Sequence, residues 1–297
     1  MVKLERWVHY KGDLEFDYIG DQGERKNSKA TIDFFAPDKD VPVSDFVTTQ
    51  FVATYKDYYF LGNTGELCPK RISKRNQSFK LIEDIFFSGE KSILEKKEAW
   101  TLTDVLNILA WKTGNIDHEK SKNAGRLIYK DGWSVNEMKG EYSIKLRAYS
   151  LSGNAYRNFA KKIIDIRERY SNDPSNDNSL WKELMAVAEN VQGLGPVYLI
   201  TLMFFITKGK YPIYDRFAMA ALLSLLASEN GYNLPHDESI VRKTSLPEKS
   251  GSTELSRLKL YNNYIGLLHH FFGQNWKNDR EIDQALWVYG HYFDVQQ

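Results

Sequence analysis

An apolar run interrupted only by Thr201 extends from Val197 to Ile206. Drawn as a helix, the run is hydrophobic on all sides, which is typical of a helix that is buried on every face. It is about half as long as the roughly 20 residues that a helix needs to span a bilayer. The run therefore predicts a buried central helix around which other elements pack, and it does not predict a membrane segment.

The composition of the 297-residue chain, with 42% hydrophobic and 27% charged residues, is that of an ordinary globular protein. Cys68 is the single cysteine, so a disulfide scaffold, a four-cysteine zinc site and a four-cysteine iron–sulfur cluster are excluded. We expect no metal and no cofactor. Because no apolar signal segment begins at Met1, we expect a cytoplasmic protein without a membrane partner. The net charge of +1 gives no general reason to expect nucleic acid, so such a prediction needs local features.

The residue pattern changes along the chain. Residues 1–90 carry β-branched and aromatic runs at 31–35 and 47–55, which predict a strand-rich N-terminal domain. From residue 91 to residue 297 the apolar spacing becomes helical, and a polar segment at 235–252 predicts a functional or mobile loop. The predicted helices are 101–114, 154–170, 180–191, 196–207, 215–230, 253–272 and 280–292. We therefore expect a mostly α protein that is α+β overall.

The sequence Val191-Gln-Gly-Leu-Gly-Pro-Val197 joins two of these predicted helices. Gly193 and Gly195 permit a tight turn with positive φ, and Pro196 suits the first turn of the helix that follows. Such a turn presents free backbone amides at a helix N-terminus, where a phosphate binds readily. A compact helix connection without a ligand would have the same sequence features.

Asp215 ends the segment Tyr211-Pro-Ile-Tyr-Asp215 and lies eighteen positions after Val197, at the predicted start of a helix. Aspartate is a favoured capping residue, and capping alone would account for it. A carboxylate held at the end of a buried helix would also face a cleft. Asp215 is therefore a candidate for either a structural or a catalytic role.

Taken together, these segments resemble the helix-hairpin-helix base-excision DNA glycosylases, whose signature is an L-P-G-[VI]-G-like hairpin, a buried helix and an aspartate at the next helix start. The hairpin here is 191–195, and 211–215 is similar to the F-P-I-L-D of the adenine glycosylase branch. Residues 156–163 and 106–113 resemble two helices that precede the hairpin in this family. The similarity covers roughly residues 101–293. The strand-rich N-terminal segment and the missing cysteine quartet fit the cluster-free, 8-oxoguanine glycosylase-like branch.

The resemblance implies a two-lobed helical fold and a monomer. It also implies an enzyme that flips a damaged or modified base out of double-stranded DNA and hydrolyses its N-glycosidic bond. Asp215 would be catalytic, stabilising the oxocarbenium-like sugar and orienting water. Gly193, Gly195, Val197 and Arg157 would bind a DNA phosphate. Bifunctional members carry a Schiff-base lysine at the position of Val197, so the resemblance implies a monofunctional enzyme.

Four further residues are weaker candidates for the base pocket or for a wedge in the duplex. Trp111 or Lys112 stands where many family members carry a glutamine that fills the gap left by the flipped base. Trp287 and His291 are four residues apart on the C-terminal helix, which supplies pocket residues in the 8-oxoguanine branch. Trp111 is equally well explained as a core residue of an amphipathic helix, and for Trp287 the core explanation is the favoured one.

Local charge is positive in two segments, since Arg157–Arg169 and Lys112–Lys130 each carry five basic and two acidic residues, a net charge of +3. Such charge suits contacts to a DNA backbone, although solvated helix faces often carry it without a ligand. Three functions stay open. The first is a glycosylase for damaged bases or for modified bases of foreign DNA, the second is a catalytically inactive DNA-binding protein on the same fold, and the third is a relative with another role, such as protein interaction.

Overall fold

The computed structural model describes residues 7–37, 52, 78–118, 127–130, 132–146, 148–174, 177–230, 254–277 and 280–290. It is mostly helical with small sheets, so the predicted α+β class is confirmed. The chain divides into two compact units, one formed by residues 77–213 and the other by residues 1–76 together with 214–297. The sequence had suggested a single boundary near residue 90. None of the described helices is long and apolar enough to cross a membrane.

The described elements follow one another along the chain in this order: β1 (Trp7–Ile19), β2 (Arg25–Pro37), α1 (Ser78–Phe87), α2 (Leu102–Thr113), β3 (Ile116–His118), β4 (Leu127–Tyr129), β5 (Ser134–Asn136), β6 (Glu141–Leu146), β7 (Tyr149–Ser152), α3 (Gly153–Asn172), α4 (Asp177–Ala188), α5 (Pro196–Ile206), α6 (Arg216–Glu229), α7 (Glu254–Phe272), a 3₁₀ helix (Asn275–Lys277) and α8 (Arg280–Gly290). Each helix predicted from the sequence is present, with ends shifted by a few residues. The predicted loop at 235–252 lies outside the described residues, as does all but one residue of the strand predicted at 47–55.

Helix α5 is the core of the unit of residues 77–213. Leu199, Leu202 and Phe205 are each at most 1% exposed, and helices α2, α3 and α4 all contact α5. This is the burial expected of a helix that is apolar on every face. The candidate turn is therefore attached to a helix that is buried in the core of its unit.

The ends of α2 follow directly from local sequence signals. The Thr101 side chain accepts a hydrogen bond from the Asp104 amide at 3.2 Å, and the Asp104 carboxylate accepts one from the Thr101 amide at 2.6 Å. This reciprocal arrangement is a capping box. At the other end Gly114 has a φ of 71° and adopts the left-handed conformation that terminates the helix.

Two small antiparallel sheets are formed by described residues between 116 and 152, a segment in which no strand was expected from the sequence. Strands β3 and β4 form one sheet, and β5, β6 and β7 form the other in that order. Along β6 the side chains of Ile144 and Leu146 are buried while Lys145 between them is exposed, which is the period-two pattern of a half-buried strand. Helix α1 is a second departure from expectation, because it lies inside the segment that was expected to be strand-rich.

The second unit contains the long antiparallel hairpin β1–β2, which pairs from Trp7 with Pro37 to Ile19 with Arg25. The hairpin packs on α7 at Gly266, where an added Cβ would lie 3.0 Å from a ring carbon of Tyr18. Polar contacts secure this docking. Ser28 donates to Asn263 at 2.9 Å, Asn263 donates to the carbonyl of Lys29 at 2.9 Å, and Nδ1 of His270 lies 2.6 Å from the carbonyl oxygen of Asp17.

Candidate functional site

The turn at residues 189–195 joins α4 to α5 in the unit of residues 77–213. Two backbone hydrogen bonds shape it: Val191 donates to Ala188 at 3.0 Å, and Leu194 donates to Val191 at 3.2 Å. Leu194 is only 7% exposed and fixes the turn to the core. The two helices and their tight connection are therefore present as the sequence predicts.

Gly193 is required by the fold for two separate reasons. Its φ is 85°, which a residue with a side chain adopts only with strain. An added Cβ would lie 2.5 Å from the carbonyl oxygen of Leu146 and 3.2 Å from a ring carbon of Tyr149. Gly193 thus lets the α4–α5 turn pack closely against the end of β6 and the start of β7.

Gly195 differs from Gly193 in both respects. Its φ is −84° and its ψ is 171°, so the expectation of positive φ is wrong at this glycine. No atom lies within 4 Å of the position that a Cβ would occupy, and the residue is the N-cap of α5 without a side-chain cap. Packing within the described residues therefore does not demand glycine here, and the backbone remains open to an approaching group.

The backbone at this helix start offers hydrogen-bond donors. The amides of Gly193, Gly195 and Val197 have no hydrogen-bond partner among the described residues, and Pro196 has no N–H to satisfy. The first amides of a helix carry a partial positive charge, to which the whole helix dipole adds. A partly exposed group of such donors is suited to one phosphate or carboxylate.

Arg157, the fourth expected phosphate ligand, lies on α3 and is half-buried. Its guanidinium donates to the carbonyl of Gly140 in the turn between β5 and β6. Its position therefore indicates a structural contact, and the observed bond does not involve the α4–α5 turn.

The positive charge of α3 is also largely used inside the protein. Arg167 donates to the carbonyls of Lys96 and Glu98, and burial lowers its pKa from the ordinary value. Arg169 forms an ion pair with Glu183. Lys161 and Lys162 are exposed and have no ion-pair partner among the described residues. The net charge counted along this helix therefore overstates the charge available to a ligand.

Trp111 belongs to an aromatic cluster in the core of its unit. Its ring centroid lies 5.2 Å from that of Phe87 and 6.0 Å from that of Phe205. Its indole N–H donates to the buried carboxylate of Glu83 at 2.8 Å. These contacts favour the core role over a wedge in DNA. The neighbouring Lys112 is partly exposed on the same helix.

Asp215 begins helix α6 in the other unit. Its Oδ1 accepts a hydrogen bond from the amide of Phe217 at 2.9 Å, and its carbonyl accepts the bond from Met219 at 2.9 Å that starts the helix. Both are features of an N-cap. Beside it, burial raises the pKa of the Tyr264 phenol well above its ordinary value, and the negative charge of Asp215 adds to this shift. The carboxylate therefore lies near a fully buried aromatic residue.

Trp287, on α8, reaches the same helix start. Its ring centroid lies 6.1 Å from that of Phe217 in an edge-to-face arrangement, and part of the side chain is exposed. Three residues further on, an added Cβ at Gly290 would lie 1.8 Å from the carbonyl oxygen of Phe217, so the backbone of α6 fills that space. His291 lies outside the described residues. The structure thus brings Trp287 together with the helix start that Asp215 caps.

The described residues contain no group of histidine, cysteine and acidic side chains suited to hold a metal ion. Comparison of the chain with protein-family models, with curated proteins and with solved structures finds no match.

Proposed function

We propose that this protein is a monofunctional DNA glycosylase on a two-lobed helix-hairpin-helix fold, which hydrolyses the N-glycosidic bond of a damaged or modified base in double-stranded DNA. The observation that carries the proposal is the α4–α5 turn. Its unpartnered amides and the open space at Gly195 are what a phosphate-binding hairpin requires. They occur in the segment whose sequence resembles the hairpin of this family.

Phosphate binding at the turn would fix the register of the protein on the duplex. Backbone amides recognise a phosphate without reading the base sequence, so such contacts position the protein and do not select the target. The amides of Gly195 and Val197 begin a helix that is packed in the core of its unit. A phosphate held there would need no rearrangement of the protein.

Asp215 is the proposed catalytic residue. Breaking an N-glycosidic bond leaves positive charge on the sugar, and a fixed carboxylate stabilises that charge as it develops. The bond from the Phe217 amide holds the Asp215 carboxylate in one orientation at 2.9 Å. Preorganised electrostatic groups of this kind commonly contribute about 3 to 4 kcal/mol to a transition state. Water would then complete the hydrolysis.

The monofunctional assignment is supported by the positions of the nearby lysines. Val197 lies in the first turn of α5, whereas Lys208 follows the last turn of this 11-residue helix. At 1.5 Å of rise per residue, the two are separated by about 16 Å along the helix axis. Neither Lys208 nor Lys210 can replace a Schiff-base lysine at the position of Val197.

Trp287 is the proposed contact for the flipped base. Extruding a base costs a few kcal/mol, and an aromatic ring that stacks on the extruded base offsets part of that cost. Its contact with Phe217, two residues after Asp215, supports this role.

Mass spectrometry of bases released from a panel of damaged and naturally modified duplexes tests the proposal. The wild type is compared with Asp215→Asn, because asparagine caps a helix about as well as aspartate but carries no charge. We expect the wild type to release one base and the variant to release it at least about a hundredfold more slowly. Equal release by both proteins would remove Asp215 from the mechanism. Salt-sensitive DNA binding without any release would instead favour the catalytically inactive DNA-binding protein.

A further inference from the structure

Tyr149 is an exposed aromatic residue that touches the α4–α5 turn. It begins strand β7, and its backbone pairs with that of Leu146 at the end of β6. Although Leu146 is only 1% exposed, Tyr149 is 48% exposed. A ring carbon of Tyr149 lies 3.2 Å from the position that a Cβ on Gly193 would occupy, so the ring packs directly against the turn.

The exposure of Tyr149 is not explained by the packing of its sheet. Its neighbours on the same face, Ile144 and Leu146, are buried against the core, as expected of a half-buried strand. The Tyr149 ring lies beside Gly193, whose amide has no hydrogen-bond partner among the described residues. A backbone donor of the turn and a partly exposed aromatic ring are therefore adjacent.

We propose that Tyr149 contacts DNA, packing its ring against the sugar and base next to the phosphate held by the α4–α5 turn. This inference rests on the proposed function, because it uses the same bound phosphate. A nucleotide linked to that phosphate extends beside the turn, and an aromatic ring stacks on any base because every base has a flat face. Tyr149 is thus a DNA-binding residue, and it has no part in bond cleavage.

Tyr149 suits this role better than the residue expected from the sequence. Trp111 donates its indole N–H to Glu83 and packs among phenylalanines in the core. Met138 is 99% exposed, but it lies in the turn between β5 and β6, at the opposite end of β6. Met138 therefore provides a matched control, since it is an exposed apolar residue in a turn of the same three-stranded sheet, away from Tyr149.

The test uses fluorescence titration of a duplex that contains a tetrahydrofuran abasic-site analogue, with 2-aminopurine placed beside it. We expect Tyr149→Ser to weaken binding about tenfold and to abolish the quenching of 2-aminopurine that stacking on the ring produces. Tyr149→Phe should keep both the affinity and the quenching because it keeps the ring. Met138→Ser should match the wild type. Thermal unfolding should be nearly the same for all four proteins.

The two proposals fail in different ways. If the wild type binds neither this duplex nor its unmodified counterpart, the proposed function fails and the inference about Tyr149 fails with it. If the wild type binds in a salt-dependent manner and Tyr149→Ser keeps both its affinity and its quenching, the inference fails and the proposed function stands. A loss of affinity in Tyr149→Phe equal to that in Tyr149→Ser would overturn stacking as the mode of contact.

Discussion

The α4–α5 turn and the start of α6 contain the two segments that resemble the glycosylase family, the hairpin and the aspartate. The two segments differ in how far the needs of folding explain their residues. At the turn, Gly195 has an ordinary φ and open space where a Cβ would lie, and neighbouring amides have no partner among the described residues. At the start of α6, Asp215 is engaged as a helix cap. The open glycine and the unpartnered amides of the turn are therefore features that folding does not require. The position of Asp215, by contrast, is fully accounted for by helix capping, so its catalytic role is tested by measuring base release.

The largest expected effect concerns Gly193, the part of the turn that folding does require. We expect Gly193→Ala to lower the free energy of unfolding by about 2 to 5 kcal/mol. The left-handed backbone costs about 1 to 2 kcal/mol for a residue with a side chain, and overpacking against the Leu146 carbonyl adds about 1 to 3 kcal/mol. Urea unfolding followed by circular dichroism measures the change.

Gly195→Ala is the matched control for that measurement. It adds the same methyl group two residues away, where φ is −84° and no atom lies within 4 Å of the position that the added Cβ takes. Its unfolding free energy should stay within about 0.5 kcal/mol of the wild type, because the poorer capping by alanine is offset by the smaller backbone entropy that alanine has in the unfolded chain. If the two alanine variants are equally stable, the distinction between the two glycines is wrong.

A smaller effect, on DNA affinity, tests whether the backbone at Gly195 binds a phosphate. Gly195→Asp places a negative charge where the phosphate would bind, and we expect it to weaken DNA binding by at least about tenfold. Aspartate is also a favoured N-cap, so the same change should leave stability unchanged or raise it by up to about 1 kcal/mol. Fluorescence anisotropy at several salt concentrations and urea unfolding measure the two quantities.

Met138→Asp controls for charge, because it adds one negative charge at an exposed position of the same unit, in the turn between β5 and β6. It should reduce affinity less than Gly195→Asp does. Equal losses in the two variants would mean that total charge sets the affinity and that the turn has no special part in it.

Local signals explain why the helices could be predicted from the sequence. Thr101 and Gly114 mark the two ends of α2, and the apolar pattern of α5 predicts its burial. The strands β3 to β7 were missed because each has only three to six residues, too few for alternation to stand out within a segment that was expected to link helices. The packing of β1–β2 on α7 involves bonds between residues 235 positions apart, which no local pattern encodes.

The candidate site was predictable to a similar extent. The turn and the cap at Asp215 depend on residue types at fixed spacings, and both are found where the sequence indicates. The partners of Arg157 and Trp111 depend on which segments fold against α3 and α2, so their internal contacts to Gly140 and Glu83 could not be foreseen. Tyr149 gives no signal beyond being an aromatic residue in a polar stretch.

The smallest expected effect separates the cap at α6 from catalysis. We expect Asp215→Ala to lower the free energy of unfolding by about 1 kcal/mol, because the Phe217 amide loses its acceptor, while Asp215→Asn changes it by only a few tenths. Thr101→Ala removes the cap of α2 at a similar cost, and it is the matched control. Base release is then measured at a temperature where all four proteins are folded. Both variants of Asp215 should lose release while Thr101→Ala keeps it. If Thr101→Ala loses as much release as Asp215→Ala, destabilisation accounts for both losses, and the carboxylate of Asp215 is a cap and nothing more.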